Sequence, residues 1–147
     1  EDLNLLEAKS NIYFEGTYIG ETFINPSVLA DTLEISLGRD KNIIVQRKKL
    51  KDKEKEQIVG NTIIKTVTME ISIRNNKNSS VELTVEDQIP VTNEKDIKIT
   101  FIGDNFSGIY NENTGMLKWN INLKPKENRV LTFSYSIKYD KDKRLIF

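Results

Sequence analysis

Apolar and polar residues alternate one for one along two stretches near the end of the chain. Leu117, Trp119, Ile121 and Leu123 alternate with Lys118, Asn120 and Asn122. Leu131, Phe133, Tyr135, Ile137 and Tyr139 alternate with Thr132, Ser134, Ser136 and Lys138. Successive side chains leave a pleated strand on opposite sides, so a period of two marks a strand with one dry face and one wet face. The short polar connection Lys126-Glu127-Asn128-Arg129 predicts that these two strands pair antiparallel and cover a core.

The same phase runs upstream. Ile63, Val67, Met69, Ile71 and Ile73 share one face, and Arg74 to Ser80 is a polar turn. Val81, Leu83, Val85 and Ile89 continue the odd-numbered face until Pro90 stops the ladder, and Ile97, Ile99 and Phe101 make a further strand. The first part of the chain is strand-like but less regular. Asn11 to Ile19 is rich in β-formers, with Gly16 expected at a bulge or a close backbone approach and Gly20 at a turn toward Phe23 and Ile24. Leu33, Ile35 and Leu37 alternate, and Gly38 to Asn42 reads as a hairpin loop before Ile43-Ile44-Val45.

Arg47 to Glu56 is a charge run with six basic and three acidic residues. Leu50 is its one apolar residue, so a helix there has no face to bury and a solvated hairpin end is expected. The reading is an all-β, antiparallel, immunoglobulin-like β-sandwich of about eight or nine strands with little or no helix. It treats 1-147 as a single domain, with irregular strands and a hairpin over 1-58 and a regular immunoglobulin-like core over 59-147.

Composition narrows the chemistry. Basic and acidic residues both number 22, so there is no excess positive charge for a nucleic-acid footprint or an acidic membrane surface. Cysteine and histidine are both absent. Thiolate nucleophiles, disulfides and every Ser-His, Cys-His or His-metal mechanism are therefore excluded from this chain. No apolar run is long enough to span a membrane. The chain opens at Glu1 and reads as a piece of something longer.

Four segments resemble the C-terminal domain, of unknown function, of the mucoidy inhibitor A family. They are Leu5-Leu6 with Asn11 to Gly20, Asp31 to Asp40, Val85 to Pro90, and Lys138 to Lys143. They fall in the family's order and span nearly the whole chain. Glu7-Ala8-Lys9-Ser10 stands where the family has a Pro-Gly turn. The resemblance implies a bacterial envelope protein, periplasmic or at the outer envelope, whose longer forms carry an export signal, a β domain and a helical middle. It implies no reaction and no catalytic residue.

No catalytic, cofactor-binding or metal-binding residue is assigned. Asp87 shares the inward face of Val81, Leu83 and Val85, and is expected to accept backbone N–H bonds at the strand end, with Glu86 facing the other way. Asp104-Asn105 and Asn111-Glu112-Asn113 have oxygen ligands but no calcium-loop spacing, and Asp140 and Asp142 lie among lysines. Trp119, Phe133, Tyr135 and Tyr139 read as core, and Tyr13, Tyr18 and Tyr110 as candidate exposed aromatics. The expected role is a non-catalytic interaction or structural module. Its partner would be another protein, an envelope polysaccharide or the rest of the parent chain, met through Lys48–Lys55 or Gly38–Asn42. A carbohydrate-binding domain would need clustered exposed aromatics. A carboxylate glycosidase would need two acids facing each other at roughly 5–9.5 Å.

Overall fold

Thr62 to Asn75 supplies the longest strand, and the apolar residues that alternate along it point to one side: Val67, Met69, Ile71 and Ile73 are all buried. The computed structural model describes residues 6–14, 16–25, 38–103 and 106–143. It places ten strands along them: β1 (Ala8–Phe14), β2 (Thr17–Ile24), β3 (Ile43–Lys49), β4 (Lys55–Val59), β5 (Thr62–Asn75), β6 (Val81–Gln88), β7 (Lys98–Ile102), β8 (Ile109–Tyr110), β9 (Met116–Leu123) and β10 (Asn128–Asp140). Among the described residues the one helical element is a 3-10 turn, Lys51–Lys53, and no helix is long and apolar enough to cross a membrane. All strand pairs are antiparallel. The protein is all-β, as its alternation predicts.

The chain divides into two compact units, 1–41 and 42–147. In the first, β1 and β2 form a hairpin. Gly16 lies in its turn with open space around it, neither at a bulge nor at a close backbone approach, and Gly20 lies inside β2 rather than at a turn. The bulge falls one step away: Ile12 pairs with Gly20 and Tyr13 with Tyr18, which leaves Ile19 unpaired. Leu33, Ile35 and Leu37 lie outside the described residues.

In the second unit one sheet has the order β3-β5-β10-β7, with β4 also on β5, and the other has the order β6-β9-β8. β9 and β10 therefore do not pair, contrary to the expectation from their alternation. β9 lies between β6 and β8, and β10 lies between β5 and β7. The turn Lys124–Glu127, closed by the Glu127 N–H on the Lys124 carbonyl, carries the chain from one sheet to the other. An alternating pattern records that each strand has a dry face. It is the same whether the next strand lies beside it or across the core. Here the faces meet across the core: Leu117, Trp119 and Leu123 of β9 share one apolar cluster with Leu131 and Phe133 of β10 and with the buried side of β5. Side chains of this size each contribute roughly 1.5–3 kcal/mol on full burial.

The charge run is not a hairpin end. Its first residues belong to β3 and its last to β4, and both strands pair with the same edge of β5, Ile43–Lys49 against Asn75–Met69 and Lys55–Val59 against Thr66–Thr62. The 3-10 turn is a jog between two segments of one edge. The hairpin lies later, at Gly60-Asn61. Residues 43–58, read as part of an irregular N-terminal stretch, are built into the larger sheet.

Candidate interaction edge

β7 closes one side of the larger sheet, and no strand pairs with its outer edge among the described residues. Its inward side chains, Ile99 and Phe101, are half-buried, while Lys98 and Thr100 are exposed on the other face. Facing β7 is the short β8. Its Tyr110 ring stacks on Phe101 with centroids 4.4 Å apart and planes 29° apart. Phe101 meets Phe106 edge-on at 4.8 Å, Phe106 meets Trp119 at 5.1 Å, and Trp119 lies 6.0 Å from Phe133. An unbroken run of rings thus connects the core to the gap between the sheets. That gap is a groove of about 650 Å³, with Ile89, Val91, Ile99, Phe101 and Tyr110 among its walls. Consecutive residues Ile97 to Phe101 line it, so the backbone edge of β7 as well as one of its faces meets the groove. Burial pushes the Tyr110 hydroxyl pKa up from its ordinary value, and the nearby Glu112 charge adds to this.

Asp87 sits on the opposite side of the unit. Its carboxylate accepts the Gln88 N–H at 2.7 Å, as expected of a strand-end aspartate. It also accepts from Arg47 Nε of β3 at 2.7 Å, an ion pair that joins the two sheets. Glu86 faces away and pairs with Lys118 at 3.1 Å. Tyr135, inward on β10, has its pKa raised chiefly by burial, with Arg47, Asp87 and Glu54 acting on it electrostatically. Several other carboxylates are also occupied. Glu54 takes Lys49 at 2.8 Å and Lys65 at 3.0 Å, which hold its pKa below the ordinary value. Glu70 takes Lys48 at 2.9 Å. Glu94 and Asp96 share Lys143, and Glu127 takes Arg129.

Asn111 builds a turn: its side-chain oxygen accepts the N–H groups of Asn113 and Thr114. Asp140 accepts the Asp142 N–H and both of its oxygens receive the Asn61 amide, which lower its pKa in that order. Among the described residues no three acidic side chains are grouped to hold a metal ion. Asp104 and Asn105 lie outside the described residues.

The aromatic candidates separate. Tyr13 and Tyr18 meet across the β1–β2 hairpin with centroids 5.5 Å apart and planes at 61°, and both are exposed. Tyr110 belongs to the groove in the other unit. Trp119 and Phe133 are buried, as expected, while Tyr135 and Tyr139 are half-buried. Along the charge run, Lys51, Lys53 and Lys55 are exposed and make no ion pair among the described residues.

The most consequential polar residue was not legible as such. Asn75, read as a turn residue, is fully buried at the end of β5. Its amide donates to the carbonyls of Ser79 at 2.9 Å and Lys124 at 3.0 Å, and its oxygen accepts the Lys77 N–H at 2.9 Å. The groove was equally silent in sequence, because β8 has only two residues.

Comparison with known proteins gives a family and no activity. Over 99 residues the chain is 26% identical to Protein F37C4.5 of Caenorhabditis elegans, a match covering 67% of this chain and 18% of that protein. The chain therefore spans only about a fifth of the length of that relative. No solved structure matches it. The model of the family described as Domain of unknown function (DUF4139) matches residues 4–141, and the chain belongs to that family.

Proposed function

We propose that this domain is a non-catalytic interaction module that receives a partner along the open edge of β7. The observation that carries this reading is the groove beside that edge, where the backbone of β7 and the rings of Phe101 and Tyr110 meet solvent together. A strand edge offers unpaired N–H and C=O groups, and a groove beside it offers side-chain pockets. Extended peptides bind through this combination.

The same reading takes the second unit as a variant of the immunoglobulin-like sandwich. With β3 and β4 counted as one edge strand, its sheets run 1-2-7-4 and 3-6-5. The constant-type immunoglobulin order is 1-2-5-4 and 3-6-7. Exchange of the fifth and seventh strands relates the two.

The resemblance to the mucoidy inhibitor A family supports a place in the bacterial envelope, periplasmic or outer. A nematode protein shares similarity with this chain, and a nematode cell has no periplasm. Strand-edge binding works in either setting.

A photo-crosslinking side chain at Thr100 of the parent protein tests the module. We expect a discrete protein adduct that is absent when the same group is placed at Asn120, on the outer face of the other sheet. Equal labelling at both positions would overturn the reading.

One observation favours a second reading, carbohydrate binding: Tyr13 and Tyr18 are exposed side by side. Their planes at 61° do not form the flat strip on which sugar rings stack. Calorimetric titration with envelope polysaccharide decides it, because heat lost in a Tyr13→Ala, Tyr18→Ala variant would favour the sugar.

A further inference from the structure

Lys98 and Lys138 stand directly opposite one another on β7 and β10. Both are exposed on the outer face of the sheet, and neither makes an ion pair among the described residues. Like charges in directly opposed positions destabilise a strand pair. A lysine on an edge strand has a ready role in discouraging unwanted pairing. That role accounts for Lys98, but not for Lys138, which lies on an inner strand between β5 and β7. The acids nearby share a cleft with the pair, but among the described residues none is ion-paired to Lys98 or Lys138. Lys143 holds Glu94 and Asp96, and Asn61 with the Asp142 N–H holds Asp140. Lys95 joins them, also exposed and unpaired, around a cleft of about 630 Å³. Of the acids lining this cleft, Asp142 alone keeps an unengaged carboxylate among the described residues.

The two faces of β7 thus differ in what they offer. On the inner side lies the apolar groove with Ile99, Phe101 and Tyr110. On the outer side lie Lys98 and Lys138, which make no ion pair of their own among the described residues and stand beside a cleft that also carries Asp96, Asp140 and Asp142. A strand laid against this edge projects its side chains alternately to the two sides.

From this we infer that the occupant of the β7 edge is an extended acidic peptide in which apolar and acidic residues alternate. Its apolar side chains enter the groove, and its carboxylates reach Lys98 and Lys138. This inference rests on the proposed role as an interaction module and names the partner's chemistry. A second copy of this chain fits poorly, because two β7 edges brought together would place two such lysine pairs on one face. The same repulsion rejects basic strands and a neutral strand leaves it unrelieved, so the cost of the like-charge pair contributes to selectivity.

The test uses the intact chain and synthetic peptides as long as β7 with one residue added at each end. One peptide alternates valine with glutamate, its mirror alternates valine with lysine, and a third is all glutamate. Each is first shown to be monomeric by sedimentation. We expect the valine–glutamate peptide to shift the backbone amide resonances of residues 97–102, and the other two to leave them in place. In a Lys98→Glu, Lys138→Glu chain, checked for unchanged thermal midpoint, affinity for that peptide falls roughly ten-fold or more and the valine–lysine peptide binds instead. Equal binding of all-glutamate would reduce the site to a simple anion patch and overturn the inference. Shifts confined to residues outside 97–102, or an affinity unmoved by charge reversal, would overturn it as well. If the crosslink at Thr100 finds a protein partner while these peptides fail, the module stands and the partner chemistry does not.

Discussion

Asn75 has no contact with solvent, and its side chain bonds four backbone groups around two different connections. Removing it takes the partner from three carbonyls and one N–H in a site that is part-buried at three of these groups and buried at the Leu123 carbonyl, which costs more than the modest net value of the bonds themselves. Asn75→Ala is therefore expected to lose about 3 kcal/mol in urea unfolding. A loss under about 1 kcal/mol would mean that water replaces the amide. Gly115 is constrained differently. Its φ is +72°, and a Cβ there would collide with the Ile89 carbonyl and lie 2.9 Å from Val91 Cγ1. Gly60 has φ +62° but open space around it. Gly115→Ala should cost about 2 kcal/mol or more, and Gly60→Ala about 1 kcal/mol, since only backbone strain acts at the second. Equal losses in the same urea experiment would show that the close approach to Ile89 does not matter.

The strands show which parts of the chain declare themselves. The Arg47–Asp87 ion pair links β3 to β6 across the seam, with Asp87 mostly shielded and Arg47 half exposed. Half-exposed partners are screened, so a double-mutant cycle on Arg47→Ala and Asp87→Ala should give a coupling of about 1 kcal/mol. A coupling of zero would mean that the seam closes on apolar contacts alone. Asp87 was legible because its odd number put a charge on an apolar face. Arg47 was not, because nothing in a run of lysines distinguishes the one that reaches across. β5, β6, β7, β9 and β10 were readable from period two, while their pairing was not. Strand order is set by which dry faces fit together and by where the chain crosses, and neither leaves a periodic mark. The Gly60-Asn61 hairpin did carry a signal, a glycine-first pair between Ile58-Val59 and Thr62-Ile63, hidden beside a charge run that looked like the turn. β8 is too short to alternate, so the groove it forms with β7 had no trace in sequence.

A protein without histidine has, apart from its terminal amine, no group of ordinary pKa that titrates near neutrality. Its stability should accordingly be flat between about pH 5 and pH 9. Glu54, Glu127 and Asp140 have folded-state pKa values below their ordinary 4.5, 4.5 and 3.8. Their contribution is present above those ordinary values and is lost as pH falls through the lowered ones. Lys65 and Lys143 are raised above 10.5, and Tyr110 and Tyr135 above 10.0. Their contribution is complete below those values and is lost as pH rises through the raised ones. Thermal midpoints measured across pH should form a plateau with an acid and an alkaline shoulder. A slope through pH 6–8 would contradict this account.

The groove, the outer edge of β7 and the cross-seam ion pair all follow from β9 and β10 lying in different sheets. Inter-proton contacts from backbone NMR test that arrangement. We expect close backbone pairs joining Phe133 to Met69, Tyr135 to Phe101 and Trp119 to Val85, with ring contacts but no backbone contacts between Trp119 and Phe133. A ladder of backbone contacts between residues 117–123 and 131–137 would show the two strands side by side and would contradict the fold on which the proposed edge depends.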